Sequence, residues 1–158
     1  MLSQLNQLSL NADGRYATDE ELRFLLPYIH SFGLRLQTYQ QIQASEATIV
    51  QEVYAKLREI DPTLLQRGNE DLSVKWKRDT LRVLRYSAVA MLLDDPHSLQ
   101  EKLLLWFQTV MKAFGAQRSC NLTYSVMQAV VKEHLSTQQA QVFCPILEVN
   151  RQLLGLAE

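Results

Sequence analysis

Only two cysteines, four prolines and five glycines occur in 158 residues, so the means to crosslink, break or loosen this chain are scarce. Cys120 and Cys144 have no metal-ligand spacing and cannot make a disulfide framework, so they read as reduced, buried structural thiols. Net charge is -1, an absence of basic excess that speaks against a nucleic-acid partner. No window reaches the run of about 18 apolar residues that a membrane span requires, so no membrane insertion is expected. The opening MLSQLNQLSL lacks a positive n-region and a continuous apolar stretch, so no secretory leader is expected either. Phosphate-cradling glycine loops, His-Glu-x-x-His and Cys-x-x-Cys are missing, and no nucleophile with a base and an orienting group can be assembled. His30, His97 and His134 fall on three different elements, which leaves no metal site. The expectation is a soluble cytoplasmic protein that is not an enzyme.

What the chain has in quantity is apolar residues at helical spacing. At 47% hydrophobic it can bury one core of ordinary size, which predicts a single domain over 1–158. Leu2, Leu5 and Leu8 predict a short first helix ended by Asn11 to Gly14. Thr18-Asp19-Glu20-Glu21 has the form of a capping box and predicts the start of a long helix, kinked at Pro27. A second signal runs from Ser45 through Ile49, Val50, Val53, Tyr54 and Leu57 to Asp61-Pro62. Arg67-Gly68-Asn69 predicts a loop, followed by a helix from about Asp71 to Leu93. Asp94-Asp95-Pro96-His97 reads as a helix stop and start, and Ser98 to Glu101 as a second capping box. Leu103 to Phe114 and Leu122 to Val131 predict two more helices. A last one is either kinked at Pro145 or begins there. No strand pattern appears, so the fold class is all-α.

The helix around Trp76 carries the unusual chemistry. On its wheel Val74, Leu81, Leu84, Ala88, Met91 and Leu92 form the core side, and Lys75, Arg78, Arg82 and Arg85 a cationic stripe. Trp76, Asp79, Val83 and Tyr86 lie between the two. That intermediate face is either a ligand wall, with an aromatic, a carboxylate and an apolar floor beside cations, or a core edge with surface ion pairs.

Lys75-Trp76-Lys77-Arg78-Asp79, with Arg85 six residues after Asp79, resembles the chromophore helix of phycobiliproteins. In that family it carries Cys-x-Arg-Asp, the Cys being thioether-linked to a linear tetrapyrrole. Trp76 stands where the Cys would be, and an indole cannot form the thioether. The resemblance extends over about 115 residues through Asn11-Ala12-Asp13, Arg15-Tyr16, Ser31 to Leu36, Asp61-Pro62, Leu84-Arg85-Tyr86, Asp94-Asp95 and Lys112-Ala113-Phe114-Gly115. It implies a globin-like phycobiliprotein fold with a short N-terminal helical extension used for subunit pairing. The segment from Gly68 to Val74 and the N-terminal turn are both shorter than the family's.

The family's residue roles imply the rest. Asp13, Tyr16 and Arg85 match positions that meet across the subunit interface, so the expected partners are phycobiliprotein subunits or a second copy in a dimer. Trp76, Arg78, Asp79 and Val83 would line a bilin-like pocket, Asp79 facing pyrrole nitrogens and Arg78 a propionate. No covalent cofactor is expected; a non-covalent bilin is the open alternative. Two functions stand side by side. One is a phycobilisome-associated assembly, regulatory or turnover factor acting through protein contacts, located at the thylakoid surface when phycobilisomes carry it there. The other is a sensor or carrier that holds a tetrapyrrole, bilin or haem, without a covalent bond.

Overall fold

The structure is a computed structural model that describes residues 1–155. Eight α-helices account for most of it: α1 (Leu2–Asn11), α2 (Asp19–Leu22), α3 (Leu25–Ile60), α4 (Ser73–Leu92), α5 (Pro96–Leu99), α6 (Leu105–Ala113), α7 (Gln117–His134) and α8 (Thr137–Gly155). A π-helical stretch, Gln100–Leu104, joins α5 to α6 and turns both Leu103 and Leu104 into the core. The all-α expectation holds, with one small exception. Gln66–Arg67 (β1) and Glu70–Asp71 (β2) pair antiparallel around a two-residue loop whose Gly68 takes a φ of 59°. A hairpin loop that short needs a positive φ at its first position, and glycine supplies it without strain.

Where two helices were expected before Asp61, the structure has a single 36-residue helix, α3. The capping box at Thr18 is real, with the Thr18 side chain accepting from the Glu21 amide and the Glu21 side chain accepting from the Thr18 amide, but it opens only the single turn of α2. Pro27 does not kink α3 because it sits in the first turn, where its absent N–H has no intrahelical partner to lose. Asp61 ends the helix in extended backbone, as a residue before proline must. Asp61 then accepts from the Thr63 amide and hydroxyl and pairs with Arg118 of α7 at 2.8 Å.

Two helices end alike. After α6 the amide of Gly115, at φ 64°, bonds Lys112 and the Ala116 amide bonds Met111, the six-residue glycine stop of a Schellman turn. After α4 the same pair of bonds runs from Asp94 to Met91 and from Asp95 to Ala90, with Asp94 left-handed at φ 49°. Aspartate tolerates that conformation better than most residues, and Arg35 secures it by reaching the Met91 carbonyl and the Asp94 carboxylate. The second capping box is displaced: the buried Asp95 caps α5 by accepting from the Ser98 amide, with Pro96 at the first helical position.

The core lies where α3, α4, α7 and α8 converge. Ile49, Val50, Val53 and Leu57 of α3 meet Leu84 and Met91 of α4, Met127 and Val131 of α7, and Phe143 and Leu147 of α8, all fully buried. Burying each is worth about 1.5–3 kcal/mol against leaving it in water. Within that core the Asn150 amide donates to Ser87 Oγ at 2.7 Å, and Ser87 donates to the Val83 carbonyl, tying α8 to α4. Helix α8 is continuous through Pro145. Pro145 and Gln141 are exposed, so water can bond the Gln141 carbonyl that the proline leaves free. Its last residue, Gly155, packs so close to α7 that a Cβ there would lie 2.7 Å from Asn121 Cα. No helix among the described residues is long and apolar enough to cross a membrane.

Candidate ligand cleft

A cleft of about 730 Å³ opens between the β1–β2 hairpin, the first turns of α4, α6, and the first two turns of α7. That size lies within the usual range for small-molecule sites, about 300–1,000 Å³. Trp76 forms one wall and does not fill it. Its indole N–H turns toward α7 and donates to Thr123 Oγ1 at 2.9 Å, and its ring leans on Tyr54 of α3 with centroids 5.8 Å apart. Those two contacts hold the indole at the side of the cleft. Trp106 and Phe107 of α6, with Phe114 just after it, add an apolar wall, Trp106 being 57% exposed and stacked on Phe107.

Charge is arranged around this aromatic space. Arg67, Lys75, Arg78 and Arg118 all line it. Lys75 pairs with Glu70 at 2.6 Å and Arg118 with Asp61, while the Arg67 guanidinium lies 5.6 Å from the Phe114 ring centre. Arg78 is exposed and touches the partly exposed Asp79 at 3.2 Å. Exposed pairs of this kind are worth little on folding and exchange readily for a ligand's carboxylates. The inner wall is α7. Cys120 is buried there, and burial pushes its thiol up to about 12. Tyr124 beside it is 3% exposed, and its phenol is raised well above the usual value, chiefly by burial, with Cys120 and Asp79 adding to the effect.

Several expected positions move. Trp76, Arg78 and Asp79 do line one cleft, but Val83 is buried in the core. Val83 shares a helix face with Trp76 yet lies seven residues on, about 10 Å deeper along the axis, where the core has closed over α4. Val74, assigned to the core side, is 81% exposed because the first turn of α4 precedes the body of the bundle. Arg85 is held by Glu46 of α3 in a two-point pair at 2.6 and 2.8 Å, which also holds the Glu46 carboxyl below its usual range. Asp13 is exposed and Tyr16 is 98% exposed. Reading the sequence missed Trp106, Phe114, Thr123 and Tyr124, and placed Cys120 in the core without seeing the cleft behind it. Trp106 carried a signal, since it falls off the Leu103, Leu104, Phe107 face.

The described residues thus form a helical bundle with an aromatic, cation-rimmed cleft beside its core. The family follows from comparison. Residues 8–154 match the family described as phycobilisome protein, and the chain belongs to that family, whose fold is globin-like. It is 28% identical to the allophycocyanin beta chain of Porphyra purpurea over 108 residues, 66% of this chain and 67% of that one. The allophycocyanin beta chain of Microchaete diplosiphon is 29% identical over 125 residues, covering 77% of this chain and 76% of that one. A phycobiliprotein beta chain of Mastigocladus laminosus is 26% identical over 127 residues, 77% and 75% of the two chains.

Proposed function

We propose that this chain is a phycobilisome-associated protein without a covalent bilin, acting in assembly, regulation or turnover through protein contacts and not as an enzyme. The observation that carries this is an apolar stripe on the N-terminal half of α3. Leu26 and Ile29 are each 61% exposed, and Phe32 and Leu36 continue the same face. The four lie within an arc of about 120°, the width of a face made to be covered. Only Thr38 is buried in that half of the helix, whereas from Ile42 onward the helix is core. Exposed apolar surface this continuous marks an interaction site more often than isolated residues do. Asp13 and Tyr16 in the preceding segment are solvent-facing, and we assign them, with Arg85, to the same contact. The partner is a phycobiliprotein subunit or a second copy of this chain. Sizing by light scattering, alone and mixed with allophycocyanin subunits, tests it. The wild type should associate, and Leu26→Glu with Ile29→Glu should abolish association without lowering the thermal midpoint. A wild type that stays monomeric at tens of micromolar and retains no subunit sinks the proposal.

A second reading has its own support, namely that the cleft stays open beside Trp76. In it the cleft holds a tetrapyrrole without a covalent bond. The residues present suit such a group: aromatic walls for the conjugated plane, Arg78 and its neighbouring cations for carboxylates, and Asp79 for pyrrole N–H. When bound, the tetrapyrrole would supply visible absorption, and this chain's residues would only bind and orient it. Absorbance between 350 and 700 nm after incubation with bilins and haem tests this reading, with Asp79→Ala as the control.

A further inference from the structure

The loop between α1 and α2, residues 12–18, carries an aromatic ring that this chain leaves uncovered. Tyr16 is 98% exposed, the highest value for any large apolar or aromatic side chain among the described residues. The backbone beneath it is nonetheless fixed. Gly14 takes a φ of 71°, and the Arg15 guanidinium donates to the Asn11 and Tyr16 carbonyls and to both Glu21 oxygens. A loop pinned in this way presents its ring with little further ordering cost on binding. Asp13 and Asp19 flank the ring, both exposed and both without an ion pair among the described residues. From Asp13 to Glu21 the segment has four acids and one base.

The cleft offers the complement. Arg67, Lys75, Arg78 and Arg118 line it against two acids, Glu70 and Asp79, in a chain whose net charge is -1. Arg67 lies over the Phe114 ring and is in no ion pair among the described residues, and Arg78 has only its exposed pair with Asp79. Trp106 and Phe114, 57% and 60% exposed, leave aromatic surface open to solvent. A space of about 730 Å³ admits a tyrosine ring together with the turn that carries it.

We infer that Tyr16 of a second copy of this chain docks in the cleft, its ring against Trp106 and Phe114 and its neighbours Asp13 and Asp19 set against Arg67 and Arg78. The inference rests on the reading of protein contacts above and names the place where a second copy is received. Aromatic and arginine side chains supply many of the dominant residues of protein interfaces, and both kinds meet here. Arg85, assigned above to the same contact, lies on the same face of α4 as Arg78, about 10 Å along the axis. Reciprocal docking closes a two-fold dimer in which each copy fills the other's cleft.

Both tryptophans of the chain, Trp76 and Trp106, line the cleft, so tryptophan emission reports its occupancy while light scattering reports mass. Over a dilution series of the full chain, emission and mass should change together. Tyr16→Ala removes a ring that touches solvent, so the thermal midpoint should hold, while self-association weakens roughly tenfold or more and the emission change is lost. One variant with Asp13→Arg and Asp19→Arg, and another with Arg67→Glu and Arg78→Glu, should each fail to self-associate. Mixed, the two should pair, because each loop then meets a cleft of opposite charge. Tyr16→Ala associating as tightly as wild type, emission that ignores association, or reversed copies that stay apart when mixed overturns the inference and leaves the α3 contact standing. A wild type that binds allophycocyanin subunits and never itself also overturns it, with the reading of protein contacts intact. A wild type that stays monomeric and retains no subunit sinks both.

Discussion

Trp76 should act as a strut between α4 and α7, and truncating it measures how much the bundle depends on that. Removing a fully buried tryptophan side chain costs about 3–5 kcal/mol. Trp76 is only half-buried, so the packing share, which includes its contact with Tyr54, is about 2 kcal/mol. Its N–H also bonds Thr123 Oγ1, which is itself 2% exposed, and leaving that oxygen without its donor adds about 1 kcal/mol. Trp76→Ala should therefore lose about 3 kcal/mol, a drop of roughly 6–12 °C in a chain of this length. Trp76→Phe keeps the ring contact and should lose only about 1 kcal/mol. Urea unfolding followed by far-ultraviolet circular dichroism gives the stabilities, and a cycle with Thr123→Val should show coupling of about 1 kcal/mol between the two residues. If Trp76→Ala stays within about 0.5 kcal/mol of wild type, as an ordinary surface change does, the strut does not exist.

Further expectations concern charge, thiols and packing. Burial by itself would raise the Asp95 carboxyl, but hydrogen bonds from the Ser3 amide and hydroxyl and the Ser98 amide outweigh it and hold the group below the usual range. Its folded value lies below its unfolded one of about 3.9, so its stabilisation is complete above that pH and is lost as pH falls through the folded value. The gap in urea midpoint between wild type and Asp95→Asn should be constant from about pH 5 to 7 and close below about pH 4. Cys120 is buried with its thiol raised to about 12, whereas Cys144 is half-buried and less perturbed. Iodoacetamide followed by peptide mass spectrometry should find Cys144 alkylated at least tenfold faster, and equal rates would mean that the α7 wall opens. Gly155→Ala forces α8 off α7 at Asn121 and should cost about 1–3 kcal/mol by thermal unfolding, so a neutral result would show that the helix end shifts freely.

The class of fold and its punctuation were legible in the residues alone. Apolar residues at threes and fours can be satisfied only by helices that bury one face, and the stops at Asp61-Pro62, Asp94-Asp95 and Gly115 follow from local backbone chemistry that needs no distant partner. The same local rules misled wherever a second signal overlapped. Pro27 was legible as a helix breaker, but only the structure decided that the break precedes it, because that depends on which turn of α3 it occupies. The capping of α5 went to Asp95 instead of Ser98, since the carboxylate is fixed by Ser3 from 92 residues away.

The cleft was legible on one side alone. Trp76, Arg78 and Asp79 lie within one turn of α4, so helical spacing groups them before any folding is considered. Val83 satisfied the same spacing and ended in the core, since periodicity gives the direction of a side chain and not the depth at which neighbours close over it. Tertiary structure alone could bring Trp106, Phe114, Cys120, Thr123 and Tyr124 to face that turn, from helices some 30 to 50 residues later in the chain. Long-range packing sets such contacts, and no local pattern encodes which face of α7 will look into a cleft and which into the core.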